Sequence, residues 1–385
     1  MNYAVLDVRE WDITIDLERG TPITGEIPGP EKRRLQLARR LIKDHPYPGD
    51  FALESMEWVT DGALRLWKAY DPTFMFISYA QPQILGGVVD MTTADWRRLI
   101  DRQFQNVDRF LAESGFTPII IGLGDLVPIE GYVDLSSWDS YVRKPDRLYA
   151  GLYGLEDEDD FSRLTNTPGV ERLISKEDFI ANFGAGKDFA RRLPDYLVIA
   201  KEGHTFKTMG GSPRMGLKTV ARNWRIPVYT PLDDAIQSIV DVNEVVLRNA
   251  GKERIALIVL DGIGIEDFQG PHELCANNFH WYTYSQGDDS YLALGTGKHF
   301  QFNDYPPGWL SFVEDPEDKR CPHDGYITRL VPDSIGSVLR KQGISSGAVG
   351  SRSTFTHLAS GADICVECCC CDLYNYGTKA VIYTT

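Results

Sequence analysis

Long apolar runs and an excess of positive charge are both missing from this sequence. No hydrophobic segment approaches the roughly 20 residues that an α-helix needs to cross a bilayer. Acidic residues outnumber basic ones by 55 to 40, which gives a formal net charge of −15. A surface this acidic argues against a nucleic-acid backbone or an anionic membrane as the main partner, because both carry negative charge.

The sequence features of a secreted protein are also lacking. The opening residues, MNYAVLDVREWD, contain no basic stretch followed by an apolar one, which a signal peptide needs. The seven cysteines are an odd number, and four of them, Cys368–Cys371, are consecutive, so they make a poor disulfide framework. We therefore expect reduced thiols and a cytoplasmic location.

Short apolar runs alternate with amphipathic stretches along the chain. The runs predict buried strands, and the stretches predict helices because their apolar residues recur every three or four positions. The predicted strands are Tyr3–Leu6, Phe74–Tyr79, Pro118–Ile121, Tyr196–Ala200, Ile255–Leu260 and Gly347–Val349, and the predicted helices are Thr60–Tyr70, Asp95–Glu113, Ala235–Asn249 and Ser334–Gln342. This alternation predicts an α/β fold with three αβα layers and a mainly parallel sheet.

The composition changes in two places. Residues 142–189 carry the charge run Glu156–Asp160 and few strand signals, so we expect an insertion or cap there, with the main sheet resumed near Leu193. Residues 1–141 and 190–385 are then expected to form one α/β domain. The stretch Gln269–Cys321 is rich in aromatic residues, Gly, Asp and Asn, which predicts a long ordered loop region of the kind that carries function.

The clearest motif is an apolar strand that ends in an acidic residue and a glycine. Ile255–Leu260 is followed by Asp261 and Gly262. Parallel sheets bind ligands outside the carboxyl ends of their strands, and glycine lets a metal ion or phosphate approach the backbone. We therefore expect Asp261 to end a central strand and to face a pocket. The plainer interpretation is that Asp-Gly makes a turn after the strand.

The same segment resembles a known family. Ile255–Gly264 resembles the metal-binding first strand of the alkaline phosphatase superfamily, which includes phosphodiesterases, phosphopentomutases and cofactor-independent phosphoglycerate mutases. Downstream, Asp289–Lys298 and Asp333–Gly350 resemble the elements that follow this strand in the family. The segments that resemble the family's later elements lie upstream of it here, namely Thr60–Tyr79, Asp101–Leu111, Pro118–Asp125 and Arg192–Gly211. This order suggests a circular permutation, which is physically plausible because domain termini often lie close together at the surface. Tyr3–Asn249 and Arg254–Gly350 are then expected to build a single sheet.

The resemblance implies an alkaline-phosphatase-like enzyme. Its activity would be that of a metal-dependent hydrolase or phosphotransferase acting on a phosphate or sulfate ester of a small molecule. Asp261, and with it Asp125, would bind a divalent cation such as zinc, manganese or magnesium. The nucleophile would be Ser285 or Ser290, which flank the position near Gly287 that the spacing indicates.

The chain departs from this family at most of its metal positions. Gln83 and Gly87 stand where the family has an Asp and then a His, and no His follows Asp125. Ser212 and Pro213 stand where a His-Gly pair is expected. The alternative function is therefore a catalytically degenerate alkaline-phosphatase-like protein that binds a ligand or partner without turnover.

Histidines and cysteines elsewhere in the sequence offer further candidate metal ligands. His272, Cys275, His280, His299, Cys321 and His323 lie in or beside the aromatic-rich region, and imidazole and thiolate groups suit zinc. We include His272, His280 and His323 among the candidate ligands, although their spacing matches no standard zinc finger and ordinary hydrogen-bonding loop residues are the alternative. The run Cys365–Cys371 could bind a soft metal, but cysteines packed as small apolar residues are the plainer interpretation.

Overall fold

A computed structural model describes most of the chain. The described residues are 3–5, 14–16, 21–22, 29–49, 51–138, 142–143, 148–152, 158–207, 215–279, 282–284, 288–302, 333–350, 362–367 and 382–384. None of the helices in these ranges combines the length and the apolar character needed to cross a membrane.

The secondary structure alternates between strands and helices. The strands, in chain order, are β1 (Tyr3–Val5), β2 (Thr14–Asp16), β3 (Thr21–Pro22), β4 (Phe74–Tyr79), β5 (Thr117–Gly122), β6 (Leu126–Pro128), β7 (Gly131–Val133), β8 (Val142–Arg143), β9 (Tyr149–Leu152), β10 (Val170–Ser175), β11 (Tyr196–Ala200), β12 (His204–Phe206), β13 (Lys218–Val220), β14 (Arg225–Tyr229), β15 (Ile255–Leu260), β16 (Glu273–Ala276), β17 (Asn278–Phe279), β18 (Tyr282–Thr283), β19 (Ser346–Gly350), β20 (Ile364–Glu367) and β21 (Ile382–Thr384). The α-helices are α1 (Gly29–Asp44), α2 (Ser55–Tyr70), α3 (Gln81–Val88), α4 (Thr93–Ser114), α5 (Glu158–Thr165), α6 (Lys176–Phe183), α7 (Lys187–Arg192), α8 (Asp241–Asn249), α9 (Asp288–Thr296) and α10 (Ile335–Lys341).

The main sheet is mixed, with a parallel centre. Its strand order is β16-β14-β5-β15-β4-β19-β20-β21-β1-β2-β3. The central strands β5, β15, β4, β19 and β20 run parallel, and the outer strands pair antiparallel. The α/β class with a mainly parallel central sheet is therefore confirmed. Strands from Tyr3–Asn249 and from Arg254–Gly350 share this one sheet, as the sequence predicted.

Strand β15 is buried along its whole length at the centre of the sheet. All six of its residues, Ile255–Leu260, are fully buried, and every one is apolar. A continuous apolar run is typical of a strand covered on both faces, since neither set of alternating side chains reaches water. Its last residue, Leu260, pairs in register with Tyr79 of β4 and with Gly122 of β5.

Helices cover both faces of the sheet. Helix α2 packs against α4, β4 and β19, whereas α8, α9 and α10 pack against one another and against β15 and β19. Ser78 contacts Tyr291 of α9, while the next residue, Tyr79, contacts Thr60 of α2. Successive strand residues point to opposite faces, so α2 and α9 lie on opposite sides of the sheet. This gives the three layers that the sequence predicted.

The structure differs from the sequence prediction at β11. Tyr196–Ala200 does not join the main sheet but pairs antiparallel with β10 and β9 in a second sheet of order β10-β11-β9-β8. The expected return to the main sheet near Leu193 does not occur there; the chain next enters that sheet at β14. An apolar run of five residues predicts a buried strand but contains no information about which sheet it joins. The division into a 1–141 and 190–385 domain with a 142–189 insertion stays a prediction.

Helix α8 begins later than predicted. It starts at Asp241 and not at Ala235. The Asp241 carboxylate accepts hydrogen bonds from the backbone N–H groups of Gln237 and Ser238, at 3.0 and 2.8 Å. The next residue, Ile239, donates its backbone N–H to Ala276 of β16. These contacts hold residues 237–239 along the sheet edge, which prevents them from forming a helical turn.

We predict that the stability of the fold depends strongly on β15 and weakly on the sheet edge. Leu257→Ala in fully buried β15 should lower the free energy of unfolding by about 2–5 kcal/mol, because it leaves a cavity in the core. The same change at Leu274, which is 39% exposed in edge strand β16, should cost less than about 1 kcal/mol. Urea denaturation measures both values, and equal losses would contradict the central position of β15.

Candidate functional site

Asp261 lies at the carboxyl end of the central strand, as predicted from the sequence. Its backbone N–H donates to the Tyr79 carbonyl at 2.9 Å, and the backbone N–H of Leu123 donates to the Leu260 carbonyl at 3.0 Å. Asp261 therefore sits between the ends of β4 and β5. Its side chain is fully buried. The pocket that we expect beside it stays a prediction.

One hydroxyl group donates to the Asp261 carboxylate, and a second hydroxyl group contacts the first. The Tyr291 hydroxyl donates to Asp261 Oδ2 at 2.7 Å, and Ser78 Oγ lies 2.8 Å from the same hydroxyl. Because the single hydroxyl proton of Tyr291 goes to Asp261, Ser78 must donate its own proton to Tyr291. All three side chains are fully buried. We call Ser78, Asp261 and Tyr291 the Asp261 cluster; it joins β4, β15 and α9.

A neutral hydroxyl pair lies on the opposite face of β4. Thr60 Oγ1 donates to the Met56 carbonyl at 3.1 Å, so the Tyr79 hydroxyl donates to Thr60, at 2.8 Å. Burial raises the pKa of Tyr79 well above its ordinary value, which keeps this hydroxyl protonated. The pair resembles the Asp261 cluster in its geometry but contains no carboxylate.

The residues beside Asp261 on the neighbouring strands carry no charge. The register places Ala80 and Leu123 on either side of Asp261, and both are apolar and fully buried. Helix α3 begins directly after Ala80, and the first-turn side chains of Gln81 and Gln83 are also buried. These four residues, at the strand and helix ends next to Asp261, are therefore buried and uncharged.

Gly262 lets the chain after Asp261 contact the first turn of α3. Its φ of +79° belongs to the left-handed region that favours glycine. A Cβ atom at this position would lie 2.5 Å from the Gln83 backbone nitrogen, which is too close for any side chain. The Asp-Gly pair is therefore required for this close approach and does more than make a turn.

Asp125, the second predicted carboxylate, holds the loop that follows Asp261. Its two oxygens accept the backbone N–H groups of Ile265 and Glu266 at 3.1 and 3.3 Å. Gly264 packs so closely that a Cβ there would lie 2.2 Å from the Asp125 nitrogen. Burial raises the pKa of Asp125, and the hydrogen bond from Glu266 partly opposes this shift.

A lysine and a tryptophan lie next to Asp125, and the sequence did not indicate this contact. The Trp96 indole N–H donates to Asp267 at 2.7 Å, and Lys218 Nζ lies 3.9 Å from the centre of the Trp96 ring. Burial lowers the pKa of Lys218, while the nearby carboxylates of Asp267 and Asp125 act in the opposite direction. We call Trp96, Asp125, Lys218 and Asp267 the edge cluster. In sequence, Trp96 only marked the buried side of a helix, and Lys218 carried no signal.

The remaining predicted residues are spread over the molecule. Ser290 is fully buried in α9, and half-buried His272 contacts the Gly270 carbonyl and the Phe268 ring. Cys275 is buried in β16, and burial raises its pKa to about 12, so it stays an inert thiol. The predicted Ser285, His280, His323, Cys321 and Cys368–Cys371 lie outside the described residues.

The described residues do not by themselves form the metal site that the resemblance implies. Within those ranges, no three His, Cys, Asp or Glu side chains are grouped so that they could hold a metal ion. Asp261 accepts a hydrogen bond from Tyr291, and Asp125 accepts two from the backbone. Metal binding by Asp261, Asp125, His272, His280 and His323 stays a prediction.

We predict that Tyr291 contributes more to stability than Tyr79 does. Tyr291→Phe should lower the free energy of unfolding by about 1.5–3 kcal/mol, because it removes a hydrogen bond to a buried carboxylate. Tyr79→Phe removes a hydrogen bond to the Thr60 hydroxyl and should cost about 0.5–1.5 kcal/mol. Both variants delete one hydroxyl from a fully buried ring, so each is the control for the other. Chemical denaturation measures both values. A smaller loss of unfolding free energy for Tyr291→Phe than for Tyr79→Phe would show that the hydrogen bond to Asp261 contributes no more than one between two hydroxyl groups.

The resemblance to the alkaline phosphatase superfamily depends on a few short segments of the sequence and on how the fold arranges them. The strands that carry it, β4, β5 and β15, are neighbours in the sheet, and their carboxyl ends lie at one edge. No protein-family model matches the chain, and no curated protein matches it either.

Proposed function

We propose that this chain is a catalytically degenerate alkaline-phosphatase-like protein, which binds a small phosphorylated or sulfated molecule at the carboxyl edge of its sheet without turning it over. One observation carries the proposal. Asp261 occupies the position that resembles the family's metal ligand, yet its carboxylate is fully buried and engaged by the hydroxyl of Tyr291. A carboxylate in this setting serves the packing of α9 against the sheet.

The residues next to Asp261 support the proposal that this chain lacks metal-dependent catalysis. Two-metal ester hydrolysis needs several charged or imidazole ligands around the reacting group. The strand and helix ends beside Asp261 instead supply Ala80, Leu123, Gln81 and Gln83. A glutamine amide is a weaker ligand for a divalent cation than a carboxylate, and Ala and Leu provide no ligand atom.

The topology of the sheet supports ligand binding at this edge. The chain leaving β4 enters α3 and α4, whereas the chain leaving β15 leads to α9 on the other face. Adjacent parallel strands whose connections leave on opposite faces open a crevice, which is the usual ligand site of α/β sheets. The N-terminus of α3 lies at this edge, and the positive end of a helix dipole favours an anionic group such as a phosphate.

A metal-dependent ester hydrolase or phosphotransferase is the second candidate. The positions of Asp261 and Asp125 after the neighbouring parallel strands β15 and β5 favour it, because ligands of an α/β sheet bind outside the carboxyl ends of its strands. The hydrogen bond from Tyr291 would then orient the Asp261 carboxylate toward the metal ion. Asp261 and Asp125 would then hold zinc, manganese or magnesium together with histidines such as His280 and His323. Ser285 or Ser290 would be the nucleophile.

Binding and turnover of one compound separate the two candidates. We predict that 4-nitrophenyl phosphate or sulfate binds the purified chain in calorimetry, while no 4-nitrophenol is released with zinc, manganese or magnesium. Chelation should leave the melting temperature unchanged, because no metal ion supports the fold.

Metal-dependent turnover would contradict the proposal, and it would establish the enzyme if Asp261→Asn lowered the rate by more than about 100-fold. Asp108→Asn, at an exposed position on α4, is the matched control and should leave any rate unchanged.

A further inference from the structure

The edge cluster ties the loop after Asp261 to two other elements. Trp96 of α4 uses both parts of its indole: the N–H bonds Asp267 in the loop, and the ring face carries Lys218 of β13. Asp125, at the end of β5, bonds the backbone of the same loop at Ile265. Four separate parts of the chain therefore meet beside the ends of β5 and β15.

The two carboxylates of the edge cluster accept hydrogen bonds, whereas its lysine contacts an aromatic ring. Asp125 accepts two backbone N–H groups, and Asp267 accepts the indole N–H. In the part of the chain that the structure describes, Lys218 Nζ makes no direct ion pair or hydrogen bond; it rests on the Trp96 ring in the field of both carboxylates. A half-buried ammonium thus provides positive charge near two partly buried carboxylates.

We propose that Lys218 is the fixed cation of this edge, and that its ammonium, seated on the Trp96 ring, helps to hold Asp267 and the loop 262–268 in position beside Asp261. The cation–π contact fixes the ring of Trp96, and the indole N–H of that ring binds Asp267 in the loop. This inference rests on the proposed function, since it makes Lys218 a positioning residue for the ligand site at that edge.

The contact of Lys218 with the Trp96 ring allows the charge of this side chain to be tested separately from its shape. Its ammonium lies over the indole face at the end of an unbranched apolar chain, so a substitution can remove the charge and keep an apolar chain of similar length. Lys218→Met keeps an unbranched apolar side chain without the charge, and Lys218→Arg keeps a charge that can also stack on the ring. Lys252, an exposed residue that precedes β15 at the opposite end of the strand, provides the control substitution Lys252→Met.

Hydrogen exchange of the loop amides tests the proposal without any ligand. We expect the amides of residues 262–268 to exchange about tenfold faster in Lys218→Met than in the unchanged chain, given the usual size of a partly buried cation–π and charge contact. Exchange of the β15 amides serves as the internal reference for global stability. Lys218→Arg should restore the slow rate, and Lys252→Met should not alter it.

The proposal is overturned if Lys218→Met leaves loop exchange unchanged relative to β15. It is also overturned if Lys218→Arg exchanges as fast as Lys218→Met, because the loss would then reflect shape and not charge. A chain that binds no phosphate or sulfate ester would contradict the proposed function, yet it would leave this exchange measurement intact, so the two failures can be told apart.

Discussion

The structure depends on the burial of one carboxylate at the end of an entirely apolar strand. β15 excludes water along all six residues, and Asp261 follows it directly into a fully buried position. A carboxylate there is costly unless donors surround it. Tyr291 supplies one such donor from a helix, and Ser78 of the neighbouring strand donates in turn to Tyr291; both are themselves buried. The hydrogen bond from Tyr291 to Asp261 therefore ties α9 to the centre of the sheet.

The strands at the centre of the fold could be predicted from the sequence, and the partners of the outer elements could not. β4 and β15 have the bounds that their apolar runs indicate, because such runs are stable only when covered on both faces. β11 also has its predicted bounds but belongs to another sheet, since pairing is decided by contacts distant in sequence. The start of α8 was missed because Asp241 uses its side chain to hold the preceding residues in place.

The candidate site was predictable only where a single segment defines it. Asp261 was visible because strand, carboxylate and glycine follow one another. The spacing pointed to Ser290, whose role stays a prediction, and gave no sign of the contact between its neighbour Tyr291 and Asp261, because adjacent residues of a helix point about 100° apart. Lys218 and Trp96 are far apart in sequence, and only folding brings them together.

These contacts describe an edge of the sheet whose charges are neutralised from within the chain. Tyr291 donates to Asp261, Ser78 donates to Tyr291, and Lys218 lies in the field of Asp125 and Asp267, so the proposed function calls for no resident metal ion at this edge. Metal content by mass spectrometry of the purified, unchelated chain tests this claim most directly. The account predicts zinc, manganese and magnesium well below one equivalent per chain. One or more equivalents of a divalent metal, lost in Asp261→Asn, would contradict it.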